Sequence, residues 1–175
     1  KPHVPRGEVE AAIVLDLVGG GLWPGSPVHV ALGAESSPEL AAAIERTPVP
    51  AGLVVAQAGL HLVEELVTGG HQPWSDYDAF RTAQVPHLFL SNGQTERYHT
   101  AGDDFATLDL AKLTRQTTWL TALVAELLDL PKATAPRWAP TERPEVDRAA
   151  ARGLISGALA TGTHAASPSP FASAM

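Results

Sequence analysis

"EAAIVLDLVGGG", Glu10–Gly21, is a short apolar run that stops at an aspartate and passes into three glycines. Ala11 to Leu15 carry no polar side chain, so the run suits a strand buried on both faces and not the alternating pattern of a half-solvated one. Asp16 then stands at the carboxyl end of that strand, where the glycines open the chain into a loop. In open parallel sheets ligands gather at that edge, which makes Asp16 the first candidate functional residue.

The pattern continues along the chain. "VHVALG", Val28–Gly33, reads as a second strand, and "SSPELAAAIERT" starts a helix with Ser37 as N-cap, Pro38 at the first helical position and Glu39 in the first turn. "AGLVVAQAGL" predicts a third strand and "LHLVEELVTGG" a helix stopped by Gly69-Gly70, although apolar runs this short leave helix and strand hard to separate. "SDYDAFRTAQ" predicts a capped helical turn, and "VPHLFLSNG" a strand over Val85–Leu90 that ends in turn residues. Leu113, Leu120, Leu123, Val124 and Leu127 recur at helical spacing until Pro131 ends the run. Strands alternating with helices argue for an α/β layered domain with a largely parallel sheet, occupying residues 1–131. Residues 132–175 read as an extension: a proline-rich connector, a short Ala/Leu helix and a flexible tail.

Composition narrows the partners. The formal charge of −7, with no Lys/Arg cluster, offers no field to attract a phosphate backbone, so nucleic acid is not an expected partner. No apolar run approaches the roughly 20 residues needed to cross a bilayer, which predicts a soluble protein with no membrane partner; secretion or a periplasmic location is compatible with this. With no cysteine, any metal must be held by His, Asp or Glu. Lys1 in place of methionine, with no signal-like segment behind it, predicts that residues precede it.

"SNGQTERYHTAGDD", Ser91–Asp104, places Tyr98 and His99 in the loop after the Val85–Leu90 strand. A loop leaving that strand and the tip of the first can meet at one rim of the sheet, where a carboxylate and an imidazole make an ordinary pair of zinc ligands. The expectation is that Asp16 and His99 lie close enough there to share one metal centre. "HLVEE", His61–Glu65, also spaces His and Glu along one helix side, but it matches neither HExxH nor HxxEH, and a solvated helix face is the expected reading. His29 and His87 lie in strand-like runs and read as structural; His71 has no motif around it.

"AAIVLDLVGG", "WSDYDAF", "VPHLFLSNG" and "YHTAGDD", in that order and followed by a long helix, resemble the second half of the co-catalytic zinc aminopeptidases, metallopeptidase family twenty-eight. The resemblance covers about Ala11 to Leu130 and implies a three-layer fold with a mostly parallel mixed sheet, of the zinc-exopeptidase kind. It implies that Asp16 ligates one zinc ion and His99 the other. Tyr98 would donate a hydrogen bond to the charge developing on the substrate carbonyl. Ser75 and Asp76 would sit by the substrate pocket, and Asp103, if buried, would orient His99; the other reading of Asp103 is that it starts the next helix.

The implied activity is exopeptidase cleavage of peptides with a free amino terminus, using two zinc ions in the complete site. The family's first half carries an HxD motif, a bridging aspartate and a Glu-Glu pair that supplies the general base, and none of these precedes Asp16. Glu64-Glu65 follows Asp16, so the order of the motifs rejects it as the base. The chain therefore reads as the carboxyl-terminal portion of such an enzyme, whose partner is the amino-terminal half in the same or another chain. A catalytically silent binding or assembly domain is the alternative. A glutaminyl-cyclase-like acyltransferase is the lesser one, since those enzymes carry Trp where Tyr98 stands.

Overall fold

The fold was obtained as a computed structural model, which describes residues 9–21, 23, 25–69 and 75–160. The opening apolar run forms β1 (Ala12–Asp16), with Asp16 as its last residue, and β2 follows at Val28–Leu32. Pro38 opens α1 (Pro38–Arg46) at its first position, and Ser37 stands at the N-cap in extended conformation. Its hydroxyl does not cap the helix; it donates instead to the Glu39 carboxylate at 2.6 Å, which lowers the Glu39 pKa. The ambiguous middle of the chain resolves into β3 (Val54–Ala58) and α2 (Leu60–Thr68), the latter stopped by Gly69 in the left-handed conformation. α3 (Tyr77–Thr82), β4 (His87–Ser91), α4 (Leu110–Leu128) and α5 (Pro144–Ala160) complete the elements.

The four strands lie in the order β1-β4-β2-β3, with β1/β4 and β2/β3 parallel and β2/β4 antiparallel. The antiparallel seam has a simple cause. A parallel return needs a crossover of about a dozen residues or more, usually a helix, and the loop between β1 and β2 is too short to hold one. β2 therefore runs back, while α1 provides the crossover that makes β3 parallel to β2.

Successive residues of β4 face opposite sides, and the core divides accordingly. Leu88 and Leu90 join Leu40, Ile44, Trp119 and Leu123 from α1 and α4; Phe89 joins Leu60, Tyr77 and Ala150 from α2, α3 and α5. The sheet is thus the middle of three layers.

On α4 the buried face runs through Lys112, Gln116, Trp119 and Leu123. Leu120 and Leu127 pack partly against it, but Val124 is 37% exposed and lies off the stripe that apolar spacing alone assigns. Beyond Pro131 the connector is strapped along the domain, with Ala139 and Thr141 amides bonded to the carbonyls of Ser36 and Glu35 at 3.0 and 2.8 Å. It leads into α5, which packs on β3. No helix among the described residues is long and apolar enough to cross a membrane.

Candidate active site

Because β1 and β4 are parallel with Asp16 opposite Ser91, Asp16 and the loop after β4 leave the same edge of the sheet. The backbone ties them further. The Asn92 amide donates to the Leu17 carbonyl at 3.2 Å, and the Asp109 amide donates to the Gly19 carbonyl at 2.8 Å. The loop that carries Tyr98 and His99 is therefore pinned at both ends to the segment immediately behind Asp16.

Asp16 is partly buried and accepts a hydrogen bond from the Ser75 hydroxyl at 3.1 Å, which brings the chain before α3 to this lip. Asp76 occupies the N-cap position of α3 but is exposed and makes no side-chain cap bond. His99 is exposed, holds a left-handed backbone (φ 59) and stacks on Tyr98 with ring centroids 3.8 Å apart. A side chain with a Cβ enters that conformation at a cost, though histidine does so more readily than most.

Asp103 is exposed, and among the described residues its carboxylate makes no hydrogen bond to His99, so the buried orienting position expected of it is not observed. Its neighbour Asp104 does the local capping, accepting from the Ala106 amide at 2.9 Å. Asp16 and His99 are suitable donors for zinc in type, a hard oxygen and an imidazole nitrogen. In number they fall short. Among the described residues no group of three or more His, Asp or Glu is arranged to hold a metal ion, so those residues do not by themselves supply a complete metal site.

The model of Peptidase family M28 matches residues 2–124. The chain belongs to peptidase family M28. In fold, this M28 chain is similar to the crystal structure of the LapA aminopeptidase of Legionella pneumophila, with a TM-score of 0.53 at 17% identity, over 71% of this chain and 32% of that one. It spans about a third of that aminopeptidase. Among curated proteins none matches the chain in sequence.

Behind the lip of this M28 chain lies a buried polar network that apolar periodicity does not reveal. The Gln116 amide nitrogen donates to Asn92 Oδ1 at 2.6 Å and lies 2.8 Å from His29 Nδ1, while its oxygen accepts from the Gly19 amide at 3.2 Å. His29 also contacts Asn92 Oδ1 at 3.0 Å, and His87 Nδ1 lies 3.1 Å from the Val85 carbonyl. Both histidines are structural. Burial pushes both imidazoles below their ordinary pKa, with hydrogen bonds to Asn92 and Val85 opposing.

A pH dependence follows from those shifts. In the unfolded chain both rings bind a proton as pH falls through about 6.5, and in the folded protein they resist it. Their contribution to stability is complete above that pH and is lost as pH falls toward the depressed folded values, by up to about 1.4 kcal/mol per pH unit for each ring. Glu35, whose carboxyl is pushed up by burial, acts with the opposite sign, above its ordinary 4.5. Urea midpoints measured at about pH 7.5, 6.5 and 5.5 should fall over the last interval and stay level over the first. A level profile throughout would contradict the buried neutral rings.

The His61–Glu65 face departs from the solvated helix face expected of it. His61 and Glu65 are exposed, but Glu64 is only 3% exposed and accepts hydrogen bonds from the Tyr77 hydroxyl at 2.8 Å and from Arg81 at 2.7 Å. Arg81 also binds Asp78. The cation from α3 makes burial of the carboxylate tolerable. His71 and Trp74 lie outside the described residues.

Proposed function

We propose that this chain is the carboxyl-terminal portion of a zinc-dependent exopeptidase of the aminopeptidase type, acting on peptides with a free amino terminus. The observation that carries the reading is the lip itself: in a member of peptidase family M28, Asp16 ends β1 and both feet of the His99 loop are bonded to the residues just behind it. Asp16 and His99 would hold the metal pair, with Ser75 fixing the orientation of the Asp16 carboxylate. Zinc bound there supplies an electrophile and an activated water. Tyr98, whose ring lies on that of His99, would donate its hydroxyl proton to the charge developing on the substrate carbonyl oxygen.

The remaining donors and the general base would come from an amino-terminal half in the same or another chain. β1 is paired on one side only among the described residues, and Leu15 within it is 50% exposed, so its free edge suits a further strand. A silent scaffold is the competing reading, favoured by a donor set that, among the described residues, stops short of three.

Zinc content and hydrolysis of free and amino-acetylated peptides, measured on the polypeptide with its upstream residues, decide between them. Bound zinc with cleavage of the free peptides alone supports the exopeptidase. Neither zinc nor cleavage leaves the scaffold. Cyclisation of amino-terminal glutamine without cleavage would instead point to the acyltransferase. Within the exopeptidase reading, Tyr98→Phe should lower kcat by about a hundredfold with zinc retained, and unchanged turnover would remove Tyr98 from the mechanism.

A further inference from the structure

The backbone behind Asp16 is gripped from α4 by two side chains with complementary chemistry. Lys112 Nζ donates to the Gly20 carbonyl at 2.8 Å, and Gln116 Oε1 accepts from the Gly19 amide at 3.2 Å. The other end of the same Gln116 amide donates to Asn92, the first residue after β4, at 2.6 Å. One planar group therefore touches both the segment behind Asp16 and the foot of the His99 loop.

The glycines make this approach possible. Gly19 has φ +79, and a Cβ there would lie 3.2 Å from Leu108 Cδ2. A Cβ on Gly21 would lie 3.2 Å from the Trp23 carbonyl oxygen and 3.4 Å from Lys112 Nζ.

Packing alone does not explain these residues. Lys112 is 1% exposed and, among the described residues, forms no close ion pair, so the cost of burying its ammonium is opposed only in part, by the charge of the Asp109 carboxylate. Burial brings its pKa down to about 8. Methionine would fill a similar volume without that cost. What lysine adds is an N–H aimed at Gly20.

We propose that Lys112 and Gln116 are positioning residues that lock the segment behind Asp16 to the helix into which the His99 loop runs. The proposal rests on the peptidase reading of this lip. It gives the buried polar face of α4 a purpose: fixing the spacing of two loops that would each supply one ligand.

The test uses the complete peptidase with Lys112→Met and Gln116→Met. Hydrogen exchange at the Gly19, Asn92 and Asp109 amides reports the loop bonds directly, and zinc affinity and the urea midpoint are read beside it. In Lys112→Met, protection at these amides should fall about tenfold and zinc affinity by about 10- to 100-fold, while the midpoint holds or rises. Gln116→Met should show the same amide and zinc losses with a modest fall in midpoint. Unaltered amides in a zinc-binding protein overturn the clamp. So does a Lys112→Met midpoint that falls in step with protection, since that is a purely structural role. Wild-type protein that binds no zinc fails the peptidase reading, and the positioning role with it.

Discussion

Asp16→Ala should cost the complete peptidase about a thousandfold in turnover, roughly 4 kcal/mol of transition-state stabilisation, and most of its zinc. The fold should survive. Asp16 is the terminal residue of β1, only partly buried, and its one side-chain bond among the described residues is the 3.1 Å contact from Ser75. Losing a single part-buried hydrogen bond costs about 1 kcal/mol. Stability and turnover should therefore separate in this variant. Measured together, a large activity loss with a near-normal urea midpoint and depleted zinc identifies a ligand. Full zinc occupancy in Asp16→Ala would remove that carboxylate from the site.

Arg81→Met should lower stability by about 3 kcal/mol, the range found when one partner of a buried pair is removed. The Glu64 side chain is 4% exposed and that of Arg81 18%, so the carboxylate has little water to turn to once the guanidinium is gone. The Tyr77 hydroxyl still donates to it, which keeps the expected loss at the lower end. Adding Glu64→Gln to Arg81→Met should recover part of the loss, because the buried charge disappears with its partner. Equilibrium unfolding of the single and double variants closes the cycle. A single variant within about 0.5 kcal/mol of wild type would show that Glu64 is solvated in solution.

Glu64 also shows where the sequence is hard to read. Helical spacing placed it on a polar face, and nothing nearby in the chain signals burial; its cation arrives from α3, by way of the tertiary fold. Local signals served well elsewhere. Pro38 at the first turn of α1 and Gly69 after α2 each act through backbone preferences of one or two residues, and the structure follows them; the apolar run to Asp16 forms its strand, but among the described residues that strand lies at the sheet edge, only partly buried, and not covered on both faces as expected. Strand composition does not encode the direction of β2 relative to β4, and the largely parallel pattern expected of the sheet holds within two pairs and reverses at one seam.

The candidate site divides the same way. Asp16 and the Tyr98-His99 pair stand out as residues with chemistry at the ends of apolar runs. Lys112 and Gln116 do not, because polar residues four apart on a helix normally mark its wet side. Only the packing of α4 against the glycine run turns that face inward. Asp103 and Asp104 differ by one position in a loop without periodicity, and the capping role fell to the second of them.

Anchoring the Tyr98-His99 loop at Leu17 and Gly19 separates its feet from its crown. The crown touches solvent, so positions there other than Tyr98 and His99 can be exchanged while the two footings keep their spacing. A lineage built on this arrangement can retune what it accepts by editing one exposed arch, leaving the foundation beneath it untouched.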